Sequence, residues 1–93
     1  MRDKHYLYIL YSEKRDKYYV GQTADVEIRL KKHNDGYSSA TKSGAPWELK
    51  KIVEFTCKRD AIRAENWIKK MKSRRIINQL IAGEINLEEM IAG

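Results

Sequence analysis

Two short apolar runs open the chain, residues 6–11 (YLYILY) and 18–22 (YYVGQ), on either side of the polar stretch SEKRDK. Aromatic and β-branched residues suit a pleated, half-buried surface, so the runs predict the two antiparallel strands of a hairpin. Side chains alternate along a strand, which puts Tyr6, Tyr8 and Leu10 on one face and Leu7, Ile9 and Tyr11 on the other. In the second run Tyr19 faces away from Tyr18 and Val20, and Gly21 predicts a bulge or the close approach of another group. Thr23 or Asp25 can cap a helix through its side-chain oxygen, and DVEIRLKKHNDG then reads as a helix stopping at Gly36. Residues 37–46 (YSSATKSGAP) are small and polar and read as a loop. Residues 47–56 (WELKKIVEFT) read as a third strand that joins the hairpin. CKRDAIRAENWIKKMK starts a second main helix, Ser73 caps a shorter one (RRIINQLIA) ending at Gly83, and Asn86 opens a last turn or two. The order β-β-α-β-α-α predicts an α+β fold, a small three-stranded antiparallel sheet flanked by helices.

At two places pattern and polarity conflict. Ala61, Ala64, Ile68 and Met71 form an apolar stripe at helical spacing, and Glu65 falls inside it. A carboxylate facing a core is costly unless it is paired or binds a cation. A salt bridge to a nearby Arg or Lys is the ordinary solution. In the first helix Val26 and Leu30 make a short apolar edge, with Arg29 and His33 as a parallel i, i+4 row beside it. On their own these two are surface decoration. Facing a buried Glu, they would offer a cation for phosphate and a proton carrier. The tyrosines of the hairpin, Trp47 and Trp67 read as packing.

The 93 residues suffice for one domain, 1–93, divided into a core 1–82 and a C-terminal helical tail 83–93. Nineteen Lys and Arg against thirteen Asp and Glu give a formal charge of +6, which points to a polyanionic partner, most often nucleic acid. The excess is concentrated in KKMKSRR (69–75), whereas the tail is acidic. Cys57 is the single cysteine, so it forms no internal disulfide and lacks the partners of a metal site. No leader-like segment and no apolar stretch of about 18 residues appears, so the expectation is a cytoplasmic protein with no membrane partner. The small core and amphipathic C-terminal helices would permit a homodimer.

The motifs then become recognisable. YIL at 8–10 preceded by Tyr6 and Leu7, YVG at 19–21 within VGQT, Arg29 with His33, and AIRAENWIKK carrying Glu65 occur in order on the elements just described. Together they resemble the GIY-YIG nucleases over nearly the whole chain. The resemblance is to small single-domain bacterial members related to the N-terminal nuclease domain of UvrC. It implies that Tyr8 and Tyr19 are the two motif tyrosines, Tyr19 ahead of Tyr8 as acceptor of the attacking water's proton. Glu65 would be the sole protein ligand of one Mg²⁺ or Mn²⁺ ion. Arg29 would stabilise phosphoryl charge, and His33 would assist the proton relay. A free tyrosine, with a pKa of about 10, is a poor base at neutral pH, so the metal and Arg29 would have to lower it. Gly21 would let the backbone approach phosphate. Gly21, Gln22, Lys32, Lys69, Lys70, Lys72, Arg74 and Arg75 would contact nucleic acid, with Tyr37 and the loop 37–46 as further candidates. Asn78 stands one position from an Asn that the UvrC relative places near its site.

Two departures accompany the match. Tyr6 stands where the family name has Gly, and Gln22 where the UvrC relative carries Lys. The implied function is a metal-dependent endonuclease that hydrolyses DNA, with RNA left open, in repair or recombination. The missing Lys, and no targeting domain within this sequence, lead to an expectation of weak or partner-dependent activity. The alternative is a non-catalytic nucleic-acid-binding module on the same basic fold. A structural role in a repair assembly through residues 84–93 is a third reading.

Overall fold

The computed structural model describes residues 4–37, 39 and 41–92. The parts of the loop 37–46, of the tail 83–93 and of the unit 1–93 that fall on residues 1–3, 38, 40 and 93 lie outside the described residues. The tyrosine-rich segment forms the expected hairpin, β1 (His5–Ser12) and β2 (Lys17–Thr23). β3 (Glu48–Phe55) pairs antiparallel with the other side of β1, so the strand order is β2-β1-β3 and β1 is central. Its register sets Tyr8 opposite Gly21 on one side and Ile52 on the other. The pairing slips between Ile9 and Leu10, against β3 and not at Gly21. Gly21 instead meets the close-approach expectation. A Cβ on Gly21 would lie 2.5 Å from the Tyr8 hydroxyl oxygen, so the ring lies across the space that a side chain would fill.

The helices follow from their caps. α1 (Val26–Asn34) starts at Asp25, whose carboxylate accepts from the Ile28 amide. α2 (Lys58–Met71) is followed by α3 (Arg74–Ala82), which Ser73 caps and which ends at Gly83 with φ 78°. α4 (Leu87–Ala92) begins where the Asn86 side chain accepts from the Glu88 and Glu89 amides. These are the residue types that satisfy the orphan groups of helix ends. Among the described residues, no helix is long and apolar enough to cross a membrane.

The sheet is covered on both faces, which is why β1 is apolar on both. Leu7, Ile9, Val20 and Phe55 meet Ala61, Ala64 and Ile68 of α2, together with Leu80 and Leu87. On the opposite face Tyr8, Leu10 and Trp47 form a second cluster, with Tyr19, Val26 and Leu30 packed against it. Tyr11 and Tyr18 pack ring to ring at 5.0 Å, as expected of sheet tyrosines. Trp67 packs half-buried against the larger cluster and Trp47 is buried in the smaller.

Two expectations need correction. Met71 is exposed, because the chain leaves α2 at Lys72 in a left-handed turn (φ 48°), so the apolar stripe ends at Ile68. The loop 37–46 is not simply a solvated segment. Thr41 and Gly44 are buried, and a short 3-10 turn spans Lys42–Gly44. Trp47 Nε1 donates to the Thr41 carbonyl at 2.7 Å, and the Ser12 hydroxyl donates to the Gly44 carbonyl at 2.7 Å. Small residues read as polar loop, but they also let the backbone pass beneath the indole, where a Cβ on Gly44 would collide with the ring.

Overpacking of this kind typically costs about 1–3 kcal/mol. Gly21→Ala is therefore expected to lower the urea midpoint with m unchanged. A wild-type midpoint would show that the Tyr8 ring is not held across Gly21.

Candidate active site

Tyr8 is only 1% exposed, so its hydroxyl must find partners within the protein. α1 supplies them one turn apart. His33 Nε2 lies 2.9 Å from the hydroxyl oxygen and Arg29 Nε lies 3.4 Å from it. His33 is itself 3% exposed, and its Nδ1 sits 2.8 Å from the Thr41 hydroxyl oxygen. An arginine only donates, so Tyr8 accepts from Arg29 and has one proton left to give. Giving it to His33 Nε2 satisfies the buried phenol. A neutral imidazole with a bare Nε2 carries its proton on Nδ1, which then donates to Thr41. The polarity is thus Arg29 to Tyr8 to His33 to Thr41.

The electrostatics agree with neutral partners. Burial pushes the Tyr8 phenol above its ordinary value, opposed by the hydrogen bond from Arg29. Burial, followed by the positive charge of Arg29, pulls the His33 imidazole below its usual range. Without metal or phosphate, the expected lowering of Tyr8 by its cation neighbour is outweighed by desolvation.

Tyr19 stands beside this chain on the same face, as strand alternation requires. Its half-buried ring meets His33 edge-on at 4.9 Å and lies 6.4 Å from the Tyr8 ring. Glu65 approaches from α2 with its side chain 15% exposed, bonded at 2.6 Å to Lys69, one turn along. Lys69 Nζ also sits 5.9 Å over the Tyr19 ring. The Glu65 charge acts on both Tyr8 and Arg29. Tyr8, Tyr19, Arg29, His33 and Glu65 are therefore brought together. A salt bridge does neutralise Glu65, as the ordinary reading has it, but an i, i+4 pair of this type is worth only about 0.3–0.5 kcal/mol. Such a bond leaves the carboxylate able to exchange Lys69 for another cation.

The donor set fits a hard ion better than a soft one. Among the described residues, no three His, Cys, Asp or Glu side chains gather into a metal cluster, so a tetrahedral zinc site has no counterpart here. One carboxylate suits Mg²⁺ or Mn²⁺, which keep much of their water and take further ligands from phosphate.

Other expected contacts are distributed differently. Gln22 pairs with Leu7 in register and hydrogen-bonds His5, so its side chain belongs to the α2 face, away from Tyr8 and Tyr19. Asn78 accepts from the Tyr18 hydroxyl at 2.8 Å, on that same opposite face. Arg74 binds the Asp16 carboxylate at 2.6 Å. With Lys69 on Glu65, the basic run 69–75 is thus partly spent inside the protein. Lys32, Lys70, Lys72 and Arg75 are exposed. Lys69, Lys72 and Arg74 share with Tyr18, Tyr19 and Ile77 a cleft of about 250 Å³, which leads the basic run to the edge of the site. Tyr37 is 78% exposed. Sequence reasoning missed Thr41 and Ser12, whose hydroxyls gave no sign of burial, and Asn34, which gave no sign of its contact with Trp47.

The site is thus one face of a sheet carrying two tyrosines, served by an Arg/His helix and by a Glu from another helix. Residues 4–78 match the model of the GIY-YIG catalytic domain, and the chain belongs to this nuclease-type family. It is 35% identical over 74 residues to the UPF0213 protein YazA of Bacillus subtilis, covering 78% of this chain and 74% of that protein. It is 38% identical over 79 residues to the UPF0213 protein BH0048 of Halalkalibacterium halodurans, covering 84% and 82%. The solution NMR structure of the UPF0213 protein BH0048 from Bacillus halodurans superposes with a TM-score of 0.53 at 38% identity, covering 85% of this chain and 83% of that one.

Burial of a neutral His33 has a consequence for stability. Unfolded histidine ionises near about 6.5, and the folded value is lower. The unfolded state therefore binds more protons as pH falls below about 6.5, and stability declines until pH has passed the folded value. Asp16, lowered chiefly by its hydrogen bond to Arg74, acts only in the more acidic carboxylate range. The urea midpoint should fall between pH 7 and 5 in the wild type and fall less in His33→Gln. Parallel pH dependence in the two proteins would contradict the buried neutral imidazole.

Proposed function

We propose that the protein is a metal-dependent endonuclease that hydrolyses DNA phosphodiester bonds in repair or recombination, leaving 5′-phosphate and 3′-hydroxyl ends. The observation that carries the reading is the Tyr8–His33 hydrogen bond capped by Arg29, with Glu65 joined to the same site through Lys69, which bonds its carboxylate and lies over the Tyr19 ring. Tyr8 has an acceptor waiting for its proton, whereas Tyr19 meets His33 only ring to ring. This supports Tyr8 as the base, in place of the Tyr19 assignment drawn from the sequence. Water gives a proton to the Tyr8 oxygen as the Tyr8 proton passes to His33 Nε2. The water oxygen bonds to phosphorus, the P–O3′ bond breaks, and the departing O3′ takes a proton from solvent. Neither group needs to be ionised beforehand, which suits their raised and lowered pKa values.

Arg29 has two duties in this scheme. Its exposed guanidinium covers the Tyr8 hydroxyl, and a phosphate pairing with it in the charge-assisted, bidentate manner of arginine would draw it outward. That movement opens the hydroxyl to water and leaves the cation on the phosphate. Glu65 would hold the Mg²⁺ or Mn²⁺ ion, which when bound supplies charge to the scissile phosphate and leaving oxygen. Tyr19, between His33 and the Glu65–Lys69 pair, orders the water and phosphate side of the site. Lys32, Lys70, Lys72 and Arg75 carry the duplex backbone, and a DNA substrate goes with a cytoplasmic location.

Purified protein should cut at least one DNA among duplex, nicked, branched and single-stranded forms when Mg²⁺ or Mn²⁺ is added. Glu65→Gln and Arg29→Ala should each lower the rate by about 10²-fold or more while DNA binding persists and weakens with salt. Salt-sensitive binding without cleavage of any of these substrates would assign the non-catalytic module instead.

A further inference from the structure

The segment that holds His33 from behind is built more firmly than a substrate loop needs to be. Thr41 is fully buried, with its hydroxyl oxygen 2.8 Å from His33 Nδ1. Its carbonyl accepts from Trp47 Nε1 at 2.7 Å and from the Gly44 amide at 3.1 Å. Trp47 is in turn fastened to α1, because its amide donates to Asn34 Oδ1 while Asn34 Nδ2 donates to its carbonyl at 3.3 Å. The Ser12 hydroxyl, at the end of β1, ties down the Gly44 carbonyl at 2.7 Å. Asn34 directly follows His33, so α1 presents the imidazole and anchors the loop that meets it. Five further polar contacts thus converge on the placement of one hydroxyl.

We infer that Thr41 is a positioning residue: its hydroxyl oxygen accepts the proton on His33 Nδ1 and holds the imidazole in the tautomer whose Nε2 can take the Tyr8 proton. The inference rests on the endonuclease reading above for its catalytic meaning, but not for its geometry. The acceptor serves both states of the relay. Neutral His33 donates from Nδ1 to Thr41 and accepts at Nε2, and the imidazolium formed during turnover keeps the same Nδ1 bond. A histidine's second nitrogen commonly sets which tautomer its working nitrogen adopts, and a wrong tautomer can remove most of a relay's rate with the geometry intact. In the opposite polarity, Tyr8 would receive from both Arg29 and His33. Its own buried proton would then need an acceptor that neither of them provides.

The test uses the full chain labelled with ¹⁵N and long-range ¹H–¹⁵N NMR at neutral pH, in a His5→Gln background that leaves His33 as the one remaining histidine. The parent should show a protonated Nδ1 and a bare Nε2. Thr41→Val preserves side-chain shape and removes the acceptor. It should shift His33 toward the Nε2-protonated form and lower kcat by about 10-fold or more with KM little changed. Thr41→Ser restores the hydroxyl and should restore both the tautomer and most of kcat. A Thr41→Val protein that keeps the Nδ1-protonated form would overturn the inference, as would a serine variant no better than valine. If the parent cuts no DNA, the endonuclease reading fails, and the tautomer measurement still decides the role of Thr41.

Discussion

A phenol hydroxyl enclosed beside the central strand of a small sheet leaves the chain little freedom around it. Tyr8 lies on β1, paired on both sides, and its ring crosses the place where residue 21 would carry a side chain. Its oxygen and proton then need partners, since a buried polar group left unpaired costs about 1–3 kcal/mol. α1 must therefore bring Arg29 and His33 over that face, and the buried imidazole needs a partner for its second nitrogen in turn. Gly21, the seating of α1 and the turn at Thr41 all follow from this one hydroxyl.

The division of the sheet into two faces lets a short chain support such a site. Most of the aliphatic burial, and with it most of the hydrophobic stabilisation, lies on the α2 side. The other face is free to be aromatic and polar, with Trp47, Leu10 and Leu30 as its apolar frame. Glu65 joins the site from the stabilising side because it sits at the margin of the α2 stripe, partly exposed, with Lys69 as a weakly held companion. In the proposed reaction this gives a resting site in which Arg29 lies on the Tyr8 hydroxyl and Lys69 on Glu65, so that a phosphate can draw Arg29 away and a metal ion can displace Lys69.

Much of this was legible in the sequence, for different reasons. Strands and helices announced themselves through apolar runs, through Asp25, Ser73 and Asn86 as caps, and through Gly83 as a stop. Glu65 and the Arg29–His33 row stood out as polar groups at the margin of apolar faces. Their roles came from the family resemblance and not from periodicity. What stayed hidden depends on tertiary geometry. Gln22 is adjacent to Gly21 in sequence, yet alternation sends its side chain through to His5 on the far face. Asn78 is spent on Tyr18 and Arg74 on Asp16, pairings that span 60 and 58 residues and that no local pattern encodes. Thr41 was hidden by composition, because a run of small polar residues looks the same whether water or an indole lies above it.

In the proposed reaction the buried Tyr8, through His33, moves the proton. Single-turnover cleavage rates of Tyr8→Phe and Tyr19→Phe, measured with Mn²⁺ on one DNA substrate, test this role directly. Tyr8→Phe is expected to lose about 10²–10⁴-fold, while Tyr19→Phe stays within about 10-fold of the wild type. A Tyr8→Phe protein that cleaves normally beside an inactive Tyr19→Phe would contradict that role.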